Sequence, residues 1–176
     1  MKDARKVLEE YVCAGMLMQI SSVTDTGHPS LCHVWYRVQF RPDRLYFISR
    51  RDRVHSLNIR RDERVAGGIV AIPLTGLGQA VTGVTFKGSA SELDAAAEEE
   101  LEGFLVRWPL ARASITSERV ARNDTVSRLY EIRVDEWVLF DEKAFPESPR
   151  REIPAEKEKM VELRRLTSKR AGRRNA

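Results

Sequence analysis

Two cysteines, three histidines and 7 % aromatic residues are little chemistry for a chain of 176 residues. Cys13 and Cys32 are too few for a disulfide framework and too far apart for a C-x-x-C pair, so a reduced, cytoplasmic compartment is expected. His28, His33 and His55 lack helical ligand spacing, and no metal site is expected. The longest mainly apolar run, Val65 to Ile72, is far too short to cross a bilayer. The opening segment is charged and amphipathic and has no apolar signal-peptide core. Also missing are G-x-x-x-x-G-K-[ST], G-x-G-x-x-G and G-x-S-x-G, which removes the phosphate loop, the dinucleotide fingerprint and the nucleophile elbow.

The chain does have 42 % apolar and 32 % charged residues, enough apolar content for one ordinary domain with a sizeable core. Its net charge of +4 is unevenly placed. The stretch from Ala155 to Ala176 carries eight basic and three acidic residues, leaving the first 154 residues at −1. The basic character belongs to a tail rather than to a folded face, which argues against a nucleic-acid-binding domain. Residues 1–151 are expected to form the folded domain and 152–176 a basic tail, partly helical or disordered.

Hydropathy patterning predicts the elements. Ala4, Val7, Leu8, Tyr11 and Val12 share a helical face that stops at Gly15. Strands are expected over Met16–Thr24, Ser30–Phe40 and Leu45–Ser49, joined by tight turns. In the second strand Cys32, Val34, Tyr36, Val38 and Phe40 form one face; His33, Trp35, Arg37 and Gln39 form the other. A short helix is expected from Arg53, then a continuous buried strand over Val65–Ile72, a loop over Pro73–Gln79 and a strand over Val81–Ser91. Asp94 suits the N-cap of a helix whose stripe is Ala97, Leu101, Phe104, Leu105 and Trp108, with Trp108 read as core. Ser127–Phe140 closes the order as a strand. Neighbouring strands with short turns predict a mainly β, α+β architecture: an antiparallel barrel with helices at its ends.

The chemistry concentrates where the third strand meets the short helix. Arg50, Arg51, Arg53, His55 and Ser56 gather cations and a hydroxyl at a helix start. Unpaired N–H groups and the helix dipole favour an anion there, and arginine offers a bidentate donor for phosphate. The residues alone leave a solvated basic turn equally open.

Leu45 to Ile69 resembles the strand–turn–helix–strand unit of the flavin-binding split-barrel, or pyridoxamine 5'-phosphate oxidase-like, superfamily, with Arg61-Asp62-Glu63-Arg64-Val65-Ala66 standing where an Asn-Pro element is usual. Val81-Thr82-Gly83-Val84-Thr85-Phe86-Lys87-Gly88-Ser89-Ala90 is similar to its G-[IV]-x-[FL]-x-G-x-A strand. Arg53-x-His55-Ser56 is most like a small branch carrying Thr-Arg-His, with Asp52 in the threonine's place. Leu129–Arg133 and Phe140–Arg151 resemble that branch's closing strand. The resemblance implies a six-stranded split barrel that forms a homodimer and holds FMN at the interface. Arg53, with Arg50, Arg51, His55 and Ser56, would grip the phosphate. His33, Val34 and Trp35 would lie along the ring or ribityl chain, and Ile48 and Ser49 at the flavin edge. Thr85, standing where relatives often have glutamine, and Lys87 would reach in from the partner. The implied function is an FMN-binding oxidoreductase acting on a small-molecule substrate. The alternatives are a deazaflavin-dependent reductase, a haem-binding protein of the same fold, and a non-catalytic binding module with an anion-binding tail.

Overall fold

The computed structural model describes residues 2–73 and 75–157. From residue 158 on, the basic tail expected over 152–176 lies outside the described residues. Helix α1 (Ala4–Ala14) starts on Asp3, whose side chain accepts from the backbone N–H groups of Arg5 and Lys6. It ends at Gly15, which has an ordinary extended φ of −67°. Glycine is required there by crowding: a Cβ would run into the Tyr36 hydroxyl and the Ile69 side chain.

Then come β1 (Leu17–Val23), β2 (Pro29–Gln39), β3 (Arg44–Arg50), α2 (Val54–Arg61), β4 (Arg64–Ile69) and β5 (Thr82–Glu92). They are followed by α3 (Glu98–Arg107), a 3-10 turn (Pro109–Ala113), α4 (Ser117–Ala121), β6 (Ser127–Asp141) and β7 (Arg150–Pro154). The sheet order is β3-β2-β1-β4-β5-β6-β7, and β3 also pairs with β6. Six antiparallel strands thereby close into a barrel, with β7 as an extra strand. Closure works because β6 is long. Its first half, Ser127–Arg133, pairs with β3, and its second half, Glu136–Phe140, pairs with β7 along the same edge. Its other edge pairs with β5, with a bulge between Lys87 and Gly88.

The alternation expected for the second strand is present. Val34 and Tyr36 of β2 are buried, while His33 and Trp35 face outward. Met18, Ile20, Tyr36, Phe47, Phe86, Tyr130 and Trp137 fill the barrel. Phe47 stacks on Tyr130 with ring centroids 5.1 Å apart, and Phe86 meets Trp137 edge-on at 5.8 Å. A six-stranded barrel filled in this way leaves no interior space for a ligand, so any site lies outside it.

Three local expectations need correction. The strand over Val65–Ile72 is not continuously buried. As β4 it ends at Ile69 and alternates, with Val65 and Ile69 inward and Arg64 and Ala66 exposed, because no helix among the described residues covers its outer face. Asp94 does not cap α3. Its carboxylate accepts from the Ala96 N–H in a preceding turn, and the helix starts after Ala97 without a side-chain cap. Trp108 is not core. Leu101, Phe104 and Leu105 of the expected stripe do pack with Tyr46, Ile115 and Leu129, forming a second apolar cluster on the outside of β3 and β6. That cluster clamps α3 to the barrel and leaves Trp108 at its edge. Among the described residues no helix is long and apolar enough to cross a membrane.

Candidate functional site

Between the outer faces of β2 and β3 and the α3–3-10 segment runs an open groove of about 750 Å³. From β2 it receives His33, Val34 and Trp35; from β3, Ile48, Ser49 and Arg50; from the start of α2, Arg53 and His55. The opposite wall is Phe104, Trp108, Pro109, Leu110 and Ala111, and Ser114 and Ser127 also line the groove.

The groove has two unlike ends. At one, α2 begins at Arg53, whose side chain makes no capping bond. The helix is held in place from its far side: buried Asn58 donates to Ser22 of β1 at 3.0 Å. Ser49 Oγ and His55 Nε2 lie 2.7 Å apart at this end. Burial, and then the charge of Arg53, push the His55 imidazole below its ordinary range, so it is neutral at neutral pH. Arg50 is exposed and paired with Asp52 at 2.6 Å, a contact that a competing anion can replace at little cost because such surface pairs are weak.

At the other end Trp35 and Trp108 meet edge-to-face, with centroids 4.8 Å apart. Trp108 is fixed from behind. Its indole N–H donates to the Tyr36 carbonyl at 2.9 Å, and the Arg107 guanidinium lies 5.0 Å over its ring. Arg107 in turn donates to the carbonyls of Cys13 and Gly15 at the end of α1. Among the described residues no acidic side chain lines the groove. A cationic, hydrogen-bonding end joined to an aromatic, apolar wall suits a planar molecule that carries an anionic group.

No family model and no curated protein matches the sequence. Solved structures do match in shape. A haem-binding protein from Mycobacterium smegmatis has a TM-score of 0.69 at 16 % identity, over 88 % of this chain and 59 % of that one. A FAD-binding protein from Mesorhizobium loti has a TM-score of 0.58 at 15 % identity, over 77 % and 92 % of the two chains. A Clostridium acetobutylicum protein related to general stress protein 26, of the pyridoxinephosphate oxidase family, has a TM-score of 0.58 at 11 % identity, over 87 % and 96 %. The fold is a split barrel.

On this split barrel eight of the twelve residues singled out from the sequence line one groove. The other four lie elsewhere. Arg51 turns away to pair with Glu92 at 3.0 Å. Ser56 is fully buried on the core side of α2, because one residue along a helix turns a side chain by about 100° from its neighbour. Thr85 and Lys87 lie on the outer face of β5, and Lys87 borders a separate shallow groove with Arg64 and Asp135. The Trp108–Ala111 wall is the part that sequence reasoning missed. The signal was Pro109 directly after an aromatic residue: it ends α3 and leaves the ring at the turn rather than under the helix.

Proposed function

We propose that this split barrel is an FMN-binding oxidoreductase that works as a homodimer on a small-molecule substrate, in the cytoplasm. The observation that carries the reading is the groove itself. Its cationic end offers Arg50, Arg53 and the start of α2 to a phosphate, and its other end offers the Trp35–Trp108 pair to a ring. Its volume lies within the range of ligand sites. The shape likeness to a FAD-binding protein and to a member of the pyridoxinephosphate oxidase family supports the same cofactor class. When bound, the flavin supplies the redox chemistry, and the chain supplies position and charge. The outer faces of β1, β2 and β4 support the dimer: exposed Leu17, Leu31, Trp35 and Val70 lie there beside small Ala66 and Gly68. In that dimer Thr85 and Lys87 would be offered to the partner's groove.

A haem reading has one observation in its favour. Haem needs an axial ligand, and His33 is exposed in the groove, whereas Nε2 of His55 is engaged by Ser49. The likeness to a haem-binding protein agrees with it. A deazaflavin cofactor would use the same cations.

The test is the absorbance spectrum of the purified protein, before and after FMN is added and excess removed. A retained flavin spectrum is expected, with Arg53→Ala weakening FMN affinity about tenfold while the fold is kept. A Soret band would replace this reading with haem. A colourless protein that takes up no FMN would end it and move the deazaflavin and binding-module readings forward. Equal FMN affinity of the Arg53 variant would remove the phosphate assignment.

A further inference from the structure

Ser49 and His55 come from different elements yet meet at 2.7 Å, one at the end of β3 and the other in the first turn of α2. The imidazole is held against Phe47, with centroids 6.3 Å apart. A serine hydroxyl has one proton and two lone pairs. If His55 Nε2 accepts that proton, Ser49 shows the groove only lone pairs. If Nε2 carries the hydrogen, Ser49 accepts it and its own proton is free to point outward. Among the described residues the other acceptor for Ser49 Oγ is the Arg50 carbonyl, 3.4 Å away and too long to compete strongly.

The surroundings select between the two. A neutral imidazole has one hydrogen to place, and among the described residues no hydrogen bond engages Nδ1. Arg53 on its own helix is the charge that acts on the ring; Arg50, paired with Asp52, and His33 line the same groove, and Tyr130 stacks on the Phe47 ring that the imidazole packs against. Arg50 and Arg53 make this end a place for an anionic oxygen, and an anionic oxygen requires donors. Ser49 is one only when His55 donates to it. The pair is not built to make Ser49 a nucleophile, because among the described residues no carboxylate hydrogen-bonds the ring.

We propose that His55 is the positioning residue of the groove: it donates through Nε2 to Ser49 Oγ and so directs the serine proton at an unprotonated anionic oxygen of the ligand. This rests on the reading that the anionic group of the cofactor lies at this end. Two experiments separate them. In ¹⁵N-labelled protein with inorganic phosphate at pH 7.5, long-range proton–nitrogen correlation spectra should show the His55 hydrogen on Nε2; a hydrogen on Nδ1 would overturn the inference whatever the cofactor is. FMN affinity is then measured for His55→Ala, His55→Gln, Ser49→Ala and the double alanine variant. His55→Ala should weaken binding about tenfold, and His55→Gln, which keeps a donor, should restore it to within about threefold. The double variant should lose no more than Ser49→Ala alone, because the two act as a unit. A purely structural role for His55 would give additive losses and no rescue by glutamine, which would sink the proposal while leaving the cofactor reading intact. Absence of FMN binding by the unaltered protein, with the hydrogen on Nε2, would sink the cofactor reading and uphold the donor geometry.

Discussion

Replacing Asp43 by alanine removes the centre of a buried network that ties both ends of the described chain to the barrel. The Asp43 side chain is fully buried. Its carboxylate accepts from Arg5 Nη1 at 2.8 Å and Nη2 at 2.6 Å, from Trp137 Nε1 at 2.7 Å and from the Glu156 backbone N–H at 3.2 Å. Its own N–H donates to the Glu156 carbonyl at 2.8 Å. Without the carboxylate, the indole N–H of Trp137 is stranded in the core, and the mostly buried Arg5 guanidinium keeps Glu9 at 2.6 Å and a longer contact to Glu156 at 3.9 Å. Removing one side of a buried ion pair costs about 3–5 kcal/mol, which for a domain of this size is a fall in Tm of about 6–20 °C. Asp43→Asn keeps the shape and one acceptor but not the charge, so its loss should be smaller. The pH dependence has a definite sign. Burial alone would raise the Asp43 pKa, but the hydrogen bonds from Arg5, Trp137 and Glu156 outweigh it and hold the group below the usual carboxylate range. A lowered folded-state pKa gives stability that is full above the unfolded value and is lost as pH falls through the folded one. Urea unfolding followed by circular dichroism, at neutral pH and in steps toward pH 2, measures both effects. Asp43→Asn should lack this part of the acid loss. A cost below about 1 kcal/mol for Asp43→Ala would refute the network as a major source of stability.

Two further substitutions test other parts of the structure. At the β5 bulge, a Cβ on Gly88 would lie 3.0 Å from the Arg133 carbonyl carbon and closer still to its oxygen, so Gly88→Ala should destabilise by about 1–3 kcal/mol in the same unfolding assay, with the urea dependence unchanged. Arg107→Ala removes two hydrogen bonds to the end of α1 and the cation over Trp108; a loss of about 1–2 kcal/mol is expected, together with a shifted tryptophan emission, and unchanged emission would show that Arg107 does not hold the groove wall.

Much of the barrel was legible because its strands bury one face only. Cys32, Val34, Tyr36 and Val38 alternate with His33, Trp35 and Arg37 in the sequence, and in β2 that period holds as far as Tyr36, beyond which Arg37, Val38 and Gln39 are all half-buried. What was not legible is where a neighbour decides. Val65 to Ile72 reads as continuously apolar, yet among the described residues nothing packs on the outer face of β4, and Gly67 sits in a crowded barrel wall, where a Cβ would strike the Phe86 ring and the Gln19 carbonyl. β7 carries only one buried side chain, Ile153, so its pattern is too weak to announce a strand; pairing with the far half of β6 makes it one.

The site was legible for a different reason and to a different depth. Cations at a helix start are visible in sequence because their role depends on neighbours along the chain, and Arg50, Arg53 and His55 do reach one groove. The same local reasoning fails one residue away in either direction. Arg51 and Ser56 have the right chemistry, but helix and turn geometry point them at Glu92 and at the core. The wall opposite depends on contacts between residues about seventy positions apart: Trp108 reaches the groove because its N–H finds the Tyr36 carbonyl. Burial of a tryptophan is not written in its spacing, and here the partner of the indole N–H separates the buried Trp137 of β6 from Trp108 at the groove. Trp137 spends that hydrogen on Asp43 inside the barrel, whereas Trp108 spends its own on the Tyr36 carbonyl of β2, beside the groove that its ring lines.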